Sequence, residues 1–462
     1  MVGVLGTLVI TRFLKPDVIG EISDATILCM TANWITIWGF GQYSVVKGRG
    51  ADAAEVTWHA TVFYVVLGVI SIGAVALFGG RLTPFLDAPH AAVYVPGMAL
   101  SVFIRRLGAM PERILVQQMN FRPSGMALAF GEIAFTAAAL PLAANGWGGW
   151  SLVVANNVKS IIAVVILINA AGVRSWATPT PLRMERIKDM LRFGLPLGIQ
   201  GIAHQASRYW DNLAVSSFFG TTATGAYNMA YNLADIPAIQ VGEQIALVLL
   251  PSIAELPKER RPRALERSTA LLSLIIYPLA VGLGLVAYPL IGLILPADKW
   301  QEVAPLLTVL ACLSVFRPIT WVLSAYMEAE AKTNRLMLLE LAKVVVIVGG
   351  IALLAPCGLR VAAGAVGIAF GATAVAGVAL VVREGPSPGR LLIGFVQPLA
   401  ACLVMAGAVW LVRRSLPEVH PLVELLVEIV AGAAAYIGAA LVLARRSSRD
   451  LLGLLGKALR RT

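Results

Sequence analysis

Charge is what this chain has least of: Asp, Glu, Lys and Arg make up 14% of its 462 residues, hydrophobic residues make up 58%, and the mean hydropathy is +0.79. Soluble domains carry about 25% charged residues, so a water-exposed globule is excluded. Long polar segments are missing too. None between the apolar runs much exceeds about 20 residues, below the size of a folded aqueous domain. Cysteine is scarce, and Cys29, Cys312, Cys357 and Cys402 lie in or at the end of apolar runs without a CxxC spacing. Neither a disulfide scaffold nor a zinc site is indicated. The four histidines, His59, His90, His204 and His420, are scattered. They form no constellation with Asp or Glu near a sizeable loop, as a membrane polymerase or acyltransferase requires. The chain therefore reads as a non-enzyme, with no metal and no cofactor.

What is abundant is apolar length. A spanning helix takes about 20 apolar residues, and the chain offers roughly fourteen such runs, at 1–14, 18–45, 56–79, 91–117, 124–145, 148–171, 193–219, 222–251, 268–295, 301–327, 334–355, 361–382, 391–412 and 421–444. The fold class is an all-α polytopic membrane protein. The net charge of +11 would suit nucleic acid, but the basic residues alternate along the chain in the manner of membrane topology. With the first connection outside, about 26 of the 37 Lys and Arg fall in inside loops, 7 outside and 4 within spans. Both termini are then cytoplasmic. Two inside segments, PLRMERIKDMLRFG (Pro181 to Gly194) and the tail DLLGLLGKALRR, put apolar residues opposite basic ones and suit helices lying in the headgroup layer.

A polar seam runs through Phe193 to Leu256. His204, Arg208 and Asp211 share a helix face, as do Asn228, Asn232 and Asp235, and the two segments meet at a six-residue turn, Gly220 to Gly225. Ionisable groups this deep are expensive and mark functional candidates, although Arg208 and Asp211 pairing only with each other is the alternative. The other cations within spans are Lys159, behind Asn156 and Asn157, Arg317 before Pro318, and Lys343 one turn after Glu340. Arg317 suits carbonyls freed by the proline and Lys343 suits Glu340, so both read as structural. Arg105 and Arg106 point about 100° apart on a helix. One of them faces inward and the other snorkels to the inner surface. Trp34, Trp38, Tyr209, Trp210, Tyr227 and Tyr231 read mostly as interface anchors, with sugar stacking as the alternative.

An internal repeat organises these parts. Leu8 to Gly20 lies on Leu213 to Gly225 at a constant offset of 205, matching apolar positions, then Phe and Gly. The offset corresponds to six spans, so the copies keep the same membrane orientation, as in parallel repeats with a site between two bundles. The equivalent of Phe193 would precede Met1, which implies a natural start upstream or a shortened chain.

The phrases GTTATGAYNMAYNLADIPAIQVGEQIALVLLPSIAEL and DKWQEVAPLLTVLACLSVFRPITWVLSAYMEAEAKTNRLMLLELAK, with GFGQYSVVKGRG and RILVQQMNFRPSG, resemble oligosaccharide flippases of the polysaccharide transporter family, colanic-acid-exporter type. Val46-Lys47 stands where that family often has glutamine-arginine. The resemblance implies a V-shaped pair of six-helix bundles, residues 1–180 and 181–384, and an accessory region at 385–462 with two helices and a basic amphipathic tail. It implies a bacterial inner-membrane protein that turns an undecaprenyl-pyrophosphate-linked oligosaccharide across the membrane for exopolysaccharide, capsule or O-antigen synthesis. Membrane lipids and the polysaccharide polymerase machinery are the other implied partners. Cations offset pyrophosphate and amides suit sugar hydroxyls, which selects Arg208, Lys159, Asn156, Asn157, Asp211, Asn228 and Asn232 as substrate-binding candidates. Asp235 and Glu243 are candidates for coupling to H⁺ or Na⁺. The alternatives are a multidrug or organic-cation antiporter of the same superfamily, which calls for an acidic cavity, and a membrane-embedded assembly enzyme.

Overall fold

In hydrocarbon each backbone N–H and C=O must find its partner inside the protein, which favours helices, and every regular element among the described residues is helical. The computed structural model describes residues 9–36, 38, 40–47, 52–118, 120–237, 242, 249, 253, 256–296, 299–330, 332–383, 385–416 and 420–459. Most of the expected first span, Glu243, Arg49 and the His204 side chain lie outside them.

Among the described residues, nine helices are long and apolar enough to cross a membrane. Of the five other expected spans, 1–14 and 222–251 lie partly outside the described residues, and 18–45, 91–117 and 193–219 fall short. These three fall short for identifiable reasons: 18–45 carries Glu21 and Asp24 and breaks after Ile35, 91–117 breaks after Leu107, and 193–219 carries the polar seam. Spans that face lipid on one side can be uniformly apolar, whereas these cannot.

The chain divides into two compact units, 1–225 and 226–462. In the first, α1 (Pro16–Ile35) is followed by α2 (Phe40–Lys47), α3 (Ala53–Phe78), α4 (Val95–Leu107), α5 (Ala109–Gln117), α6 (Arg122–Ala144) and α7 (Trp150–Ala171). A long helix, α8 (Met184–Pro237), then departs from helical geometry at Gly220 (φ 78°, ψ 177°). Two expectations are corrected here. The amphipathic segment at 184–194 runs unbroken into the seventh span instead of forming a separate helix. It is tied to the start of α3 by Arg186, 2.9 Å from Asp52 Oδ2, and by Arg183 N–H donating to His59 Nε2 at 2.8 Å. The six-residue turn contracts to one residue, because glycine reverses the chain with a single positive φ that other residues avoid.

The repeat has a structural counterpart in this unit. A Cβ on Gly20 would overlap the Thr221 carbonyl, and a Cβ on Gly225 would overlap the Pro16 carbonyl. Under the 205-residue offset Pro16 corresponds to Thr221 and Gly20 to Gly225, so the contact maps onto itself. Both helices start here, and backbone meets backbone.

The second unit contains α9 (Arg261–Leu285), α10 (Ala287–Ile294), α11 (Val303–Leu313), α12 (Arg317–Ala329), α13 (Thr333–Leu354), α14 (Leu359–Val382), α15 (Pro388–Ser415), α16 (Pro421–Leu443) and α17 (Arg445–Leu459). Ion pairs Arg261–Glu330 (2.7 Å), Arg390–Glu266 (3.4 Å) and Arg267–Asp450 (3.0 Å) gather the basic loops at one end. Arg360–Glu302 (3.2 Å) and the Arg413–Glu428 clamp (2.7 and 2.9 Å) mark the other. The alternation read from charge thus matches the geometry of this unit. Arg413 also donates to Leu285 O at 2.8 Å, pinning α15 and α16 to α9.

Gly20→Ala and Gly225→Ala are each expected to cost about 1–3 kcal/mol, the usual penalty for overpacking, because the obstructing atoms are backbone. Gly73→Ala, with nothing within 4 Å, is expected to be neutral. Thermal unfolding in detergent checks this, and three equal midpoints would rule the contact out as a packing constraint.

Candidate functional site

In the first unit the break in the second span is organised by Arg106. Helix α1 ends at Ile35 and the chain resumes as α2 at Phe40, leaving carbonyls without helical partners. The buried Arg106 side chain fills that gap. Its Nη1 donates to Asn33 O (3.2 Å), Asn33 Oδ1 (2.7 Å) and Thr36 Oγ1 (2.9 Å), and its Nη2 donates to Thr36 O (3.1 Å). Its Nε donates to Tyr64 O on α3 at 2.6 Å. The guanidinium carbon lies 5.4 Å from the Tyr64 ring centre, and Gly68 gives it room, since a Cβ there would meet Nε at 2.7 Å. Trp38, inside the break, has φ 37°, a left-handed conformation that costs roughly 1–3 kcal/mol outside glycine. The neighbouring Arg105 is exposed, so the two arginines separate as their helical angle requires.

Nearby spans hold further polar contacts. Asp24 is fully buried on α1, and Ser216 Oγ donates to its Oδ2 at 2.5 Å. Its Oδ1 has no hydrogen-bond partner among the described residues. Trp210 Nε1 donates to Thr31 Oγ1 at 3.2 Å, and Tyr209 packs on Trp34 with ring centres 5.2 Å apart. These aromatics join helices within the unit. Outside the spans, the Tyr43 side chain first, then Asp52, holds the Arg186 guanidinium above its ordinary pKa.

The remaining candidates of this unit are distributed. Lys159 is half-buried, ion-paired with Glu132, and lies 5.8 Å from the Phe135 ring centre. Asn156 Nδ2 donates to Leu152 O (2.9 Å), and Asn157 Nδ2 donates to Val153 O (2.8 Å) and Gly97 O (3.0 Å). Both amides thus serve backbone. Asp211 is buried, and its Oδ1 accepts from Asn212 N (2.8 Å) and Nδ2 (3.0 Å). Arg208, one turn earlier, is half-buried.

In the second unit Asn232 Nδ2 donates to Asn228 Oδ1 at 2.9 Å, on an exposed part of the helix. Asp235 and Arg317 are both buried and form an ion pair, with Arg317 Nη2 donating to Tyr231 Oη at 3.2 Å. Arg317 therefore takes a carboxylate from another helix and not carbonyls freed by Pro318. Lys343 pairs with Glu340 at 2.7 Å, as the spacing suggested. Arg317 and Lys343 each lie 5.1 Å from the Phe370 ring centre, so two cations share one aromatic side chain. Both buried arginines sit where a span is interrupted, Arg106 just before Gly108 and Arg317 just after the 3₁₀ turn Ser314–Phe316. Spacing along the chain could not reveal these partners. The signal available was a mid-span arginine beside a glycine or a proline.

Residues 9–305 match the model of the family described as polysaccharide biosynthesis protein. The chain belongs to this family. This polysaccharide biosynthesis protein is 28% identical over 307 residues to the succinoglycan biosynthesis transport protein ExoT of Rhizobium meliloti (strain 1021), an alignment covering 66% of this chain and 60% of that protein's length. Its fold is similar to the lipid II flippase MurJ in an inward closed conformation, with TM-score 0.81, 13% identity and coverage of 98% and 97% of the two chains. A multidrug resistance MATE transporter of the MOP superfamily in an inward-facing conformation gives TM-score 0.68 at 15% identity, covering 83% of this chain and 96% of its own. At such identities the likeness establishes the fold alone, an all-α polytopic membrane architecture.

Arg106→Met is expected to destabilise the first unit by about 1–3 kcal/mol, as leaving buried neutral acceptors unpaired does. Arg106→Lys, keeping the charge but not the planar fork, should recover only part of it. Unfolding midpoints of the purified variants check this. A wild-type midpoint for Arg106→Met would show that the break holds without its arginine.

Proposed function

We propose that the protein is a flippase. Its substrate in this reading is an oligosaccharide repeat unit linked through pyrophosphate to undecaprenol, turned from the cytoplasmic to the periplasmic leaflet of the bacterial inner membrane by alternating access, with both termini cytoplasmic. The observation that carries the reading is the distribution of polarity. Among the described residues, the expected spans too polar or too broken to face lipid are 18–45, 91–117 and 193–219, and a buried arginine stands in each unit. Such helices suit a polar headgroup crossing while the polyprenyl tail stays in lipid. Family membership supports the same reading.

In this proposal the cations receive phosphate oxygens, with Arg208 first among them because its helix carries the polar seam. Asn228 and Asn232 offer amides to sugar hydroxyls, and Lys159 with the amide oxygens of Asn156 and Asn157, whose nitrogens serve the backbone, forms a secondary station. Bundles at 1–180 and 181–384, with 385–462 accessory, remain the proposed covalent organisation. Arg317 supplies the coupling step. Protonation of Asp235 removes its own negative charge and releases the still cationic guanidinium for pyrophosphate, and deprotonation recaptures it.

An organic-cation antiporter of the same fold needs carboxylates ready for a cation. Here Glu132, Asp235 and Glu340 are already paired with Lys159, Arg317 and Lys343, which argues against the cation.

Deleting the gene is expected to accumulate lipid-linked oligosaccharide on the cytoplasmic side and to remove the surface glycan. An intact glycan without accumulation, in a strain lacking any second transporter of this kind, would refute the flippase. Arg208→Ala is expected to abolish complementation at normal protein level, with Arg208→Lys intermediate, and full activity of both would remove Arg208 from the site. Asp235→Asn is expected to leave transport in proteoliposomes insensitive to an imposed pH gradient. Unchanged gradient dependence would exclude Asp235 as the coupling group.

A further inference from the structure

The second unit holds a cavity of about 520 Å³ that the proposed transport does not use. It opens where α9, α15 and α17 begin, at the end that carries the basic loops. Four arginines line it, Arg263, Arg267, Arg390 and Arg446, with two carboxylates, Glu266 and Asp450. The carboxylates are already engaged. Glu266 accepts from Ser387 N at 2.7 Å and pairs with Arg390 at 3.4 Å, while Asp450 pairs with Arg267 at 3.0 Å. Arg263 and Arg446 have no ion-pair partner among the described residues, so the cavity retains two positive charges. Three helix N-termini add partial charge of the same sign.

We infer that this cavity binds the phosphate headgroup of an anionic membrane phospholipid. A volume in the ~300–1,000 Å³ range of small-molecule sites exceeds what one free phosphate ion fills. Its wall is amphipathic, since Leu271 and Ile393 line it beside the arginines. Ile393 and the adjoining Leu392 and Val396 are exposed on a helix that is itself a candidate span, which gives an acyl chain an apolar surface continuous with the headgroup site. Basic pockets between spanning helices on the cytoplasmic side are where such lipids are recognised. The lipid would join the amphipathic helix α17 to α9 and α15 through one headgroup, adding an ionic link to the Arg267–Asp450 and Arg390–Glu266 pairs.

The test titrates the purified full chain in nonionic detergent with phosphatidylglycerol, phosphatidylcholine or inorganic phosphate and reads the thermal unfolding midpoint. Phosphatidylglycerol alone is expected to raise it. The double variant Arg263→Gln/Arg446→Gln, which breaks no ion pair among the described residues, is expected to need about thirtyfold more phosphatidylglycerol, at the usual worth of two basic side chains near an anionic lipid surface. The corresponding double lysine variant should titrate near the parent, and circular dichroism confirms that both are folded. An equal response to phosphatidylcholine, or an unaltered titration of the glutamine variant, overturns the proposal. A response to inorganic phosphate as strong as to the lipid overturns the lipid as the ligand. Because the readout is binding, its failure leaves the transport reading intact, and the failure of transport leaves this one intact.

Discussion

A carbonyl or a charge placed in hydrocarbon has no water to turn to, and the arrangement of this protein follows from where it breaks that rule and how it repairs the break. The helix of the second span ends at Ile35, and an arginine from a different span supplies the donors that the backbone lost. The same logic places Arg317 against Asp235 and Arg413 across the fully buried Glu428. In each case a planar guanidinium covers several acceptors at once, which a lysine ammonium does less well. Buried ion pairs add little net stability. Their value here is that they let irregular, polar helix exist within a membrane.

The two units solve this problem in comparable ways. Arg106 stands beside Gly108 between α4 and α5, and Arg317 stands at the junction of α11 and α12. Both interrupt a span that would otherwise be uniform. Their partners differ: Arg106 meets neutral carbonyls and side-chain oxygens, while Arg317 meets a carboxylate. Among the described residues, the guanidinium of the first meets no carboxylate within hydrogen-bond reach, and that of the second does.

Much of this was legible from residue order. The scarcity of charge dictates a polytopic helical protein, and the loop charges anticipate which ends of the helices lie together, as the Arg267–Asp450 and Arg390–Glu266 pairs show. Local spacing identifies the Lys343–Glu340 pair because three residues make one helical turn. Contacts between helices are another matter. Arg106 and Asn33 are 73 residues apart, and nothing in their neighbourhoods names the other. Asn156 and Asn157 look like sugar ligands in sequence, yet in the fold their amides satisfy carbonyls. The turn at Gly220 to Gly225 illustrates a different limit. A cluster of Gly and Thr reads as a loop, but one glycine with positive φ completes the reversal and the threonines rejoin the helix.

The reciprocal meeting of Gly20 with Thr221 and of Gly225 with Pro16 has a mechanical implication. Where side chains interlock, two helices shift only by exchanging one set of rotamers for another, in discrete steps. Here the touching surfaces are main chain, with nothing to interlock and no rotamer to change. The contact resembles a bearing more than a latch: it resists compression yet leaves rolling about its own pseudo-axis inexpensive, because each helix offers a glycine and the carbonyl four residues before it to the other.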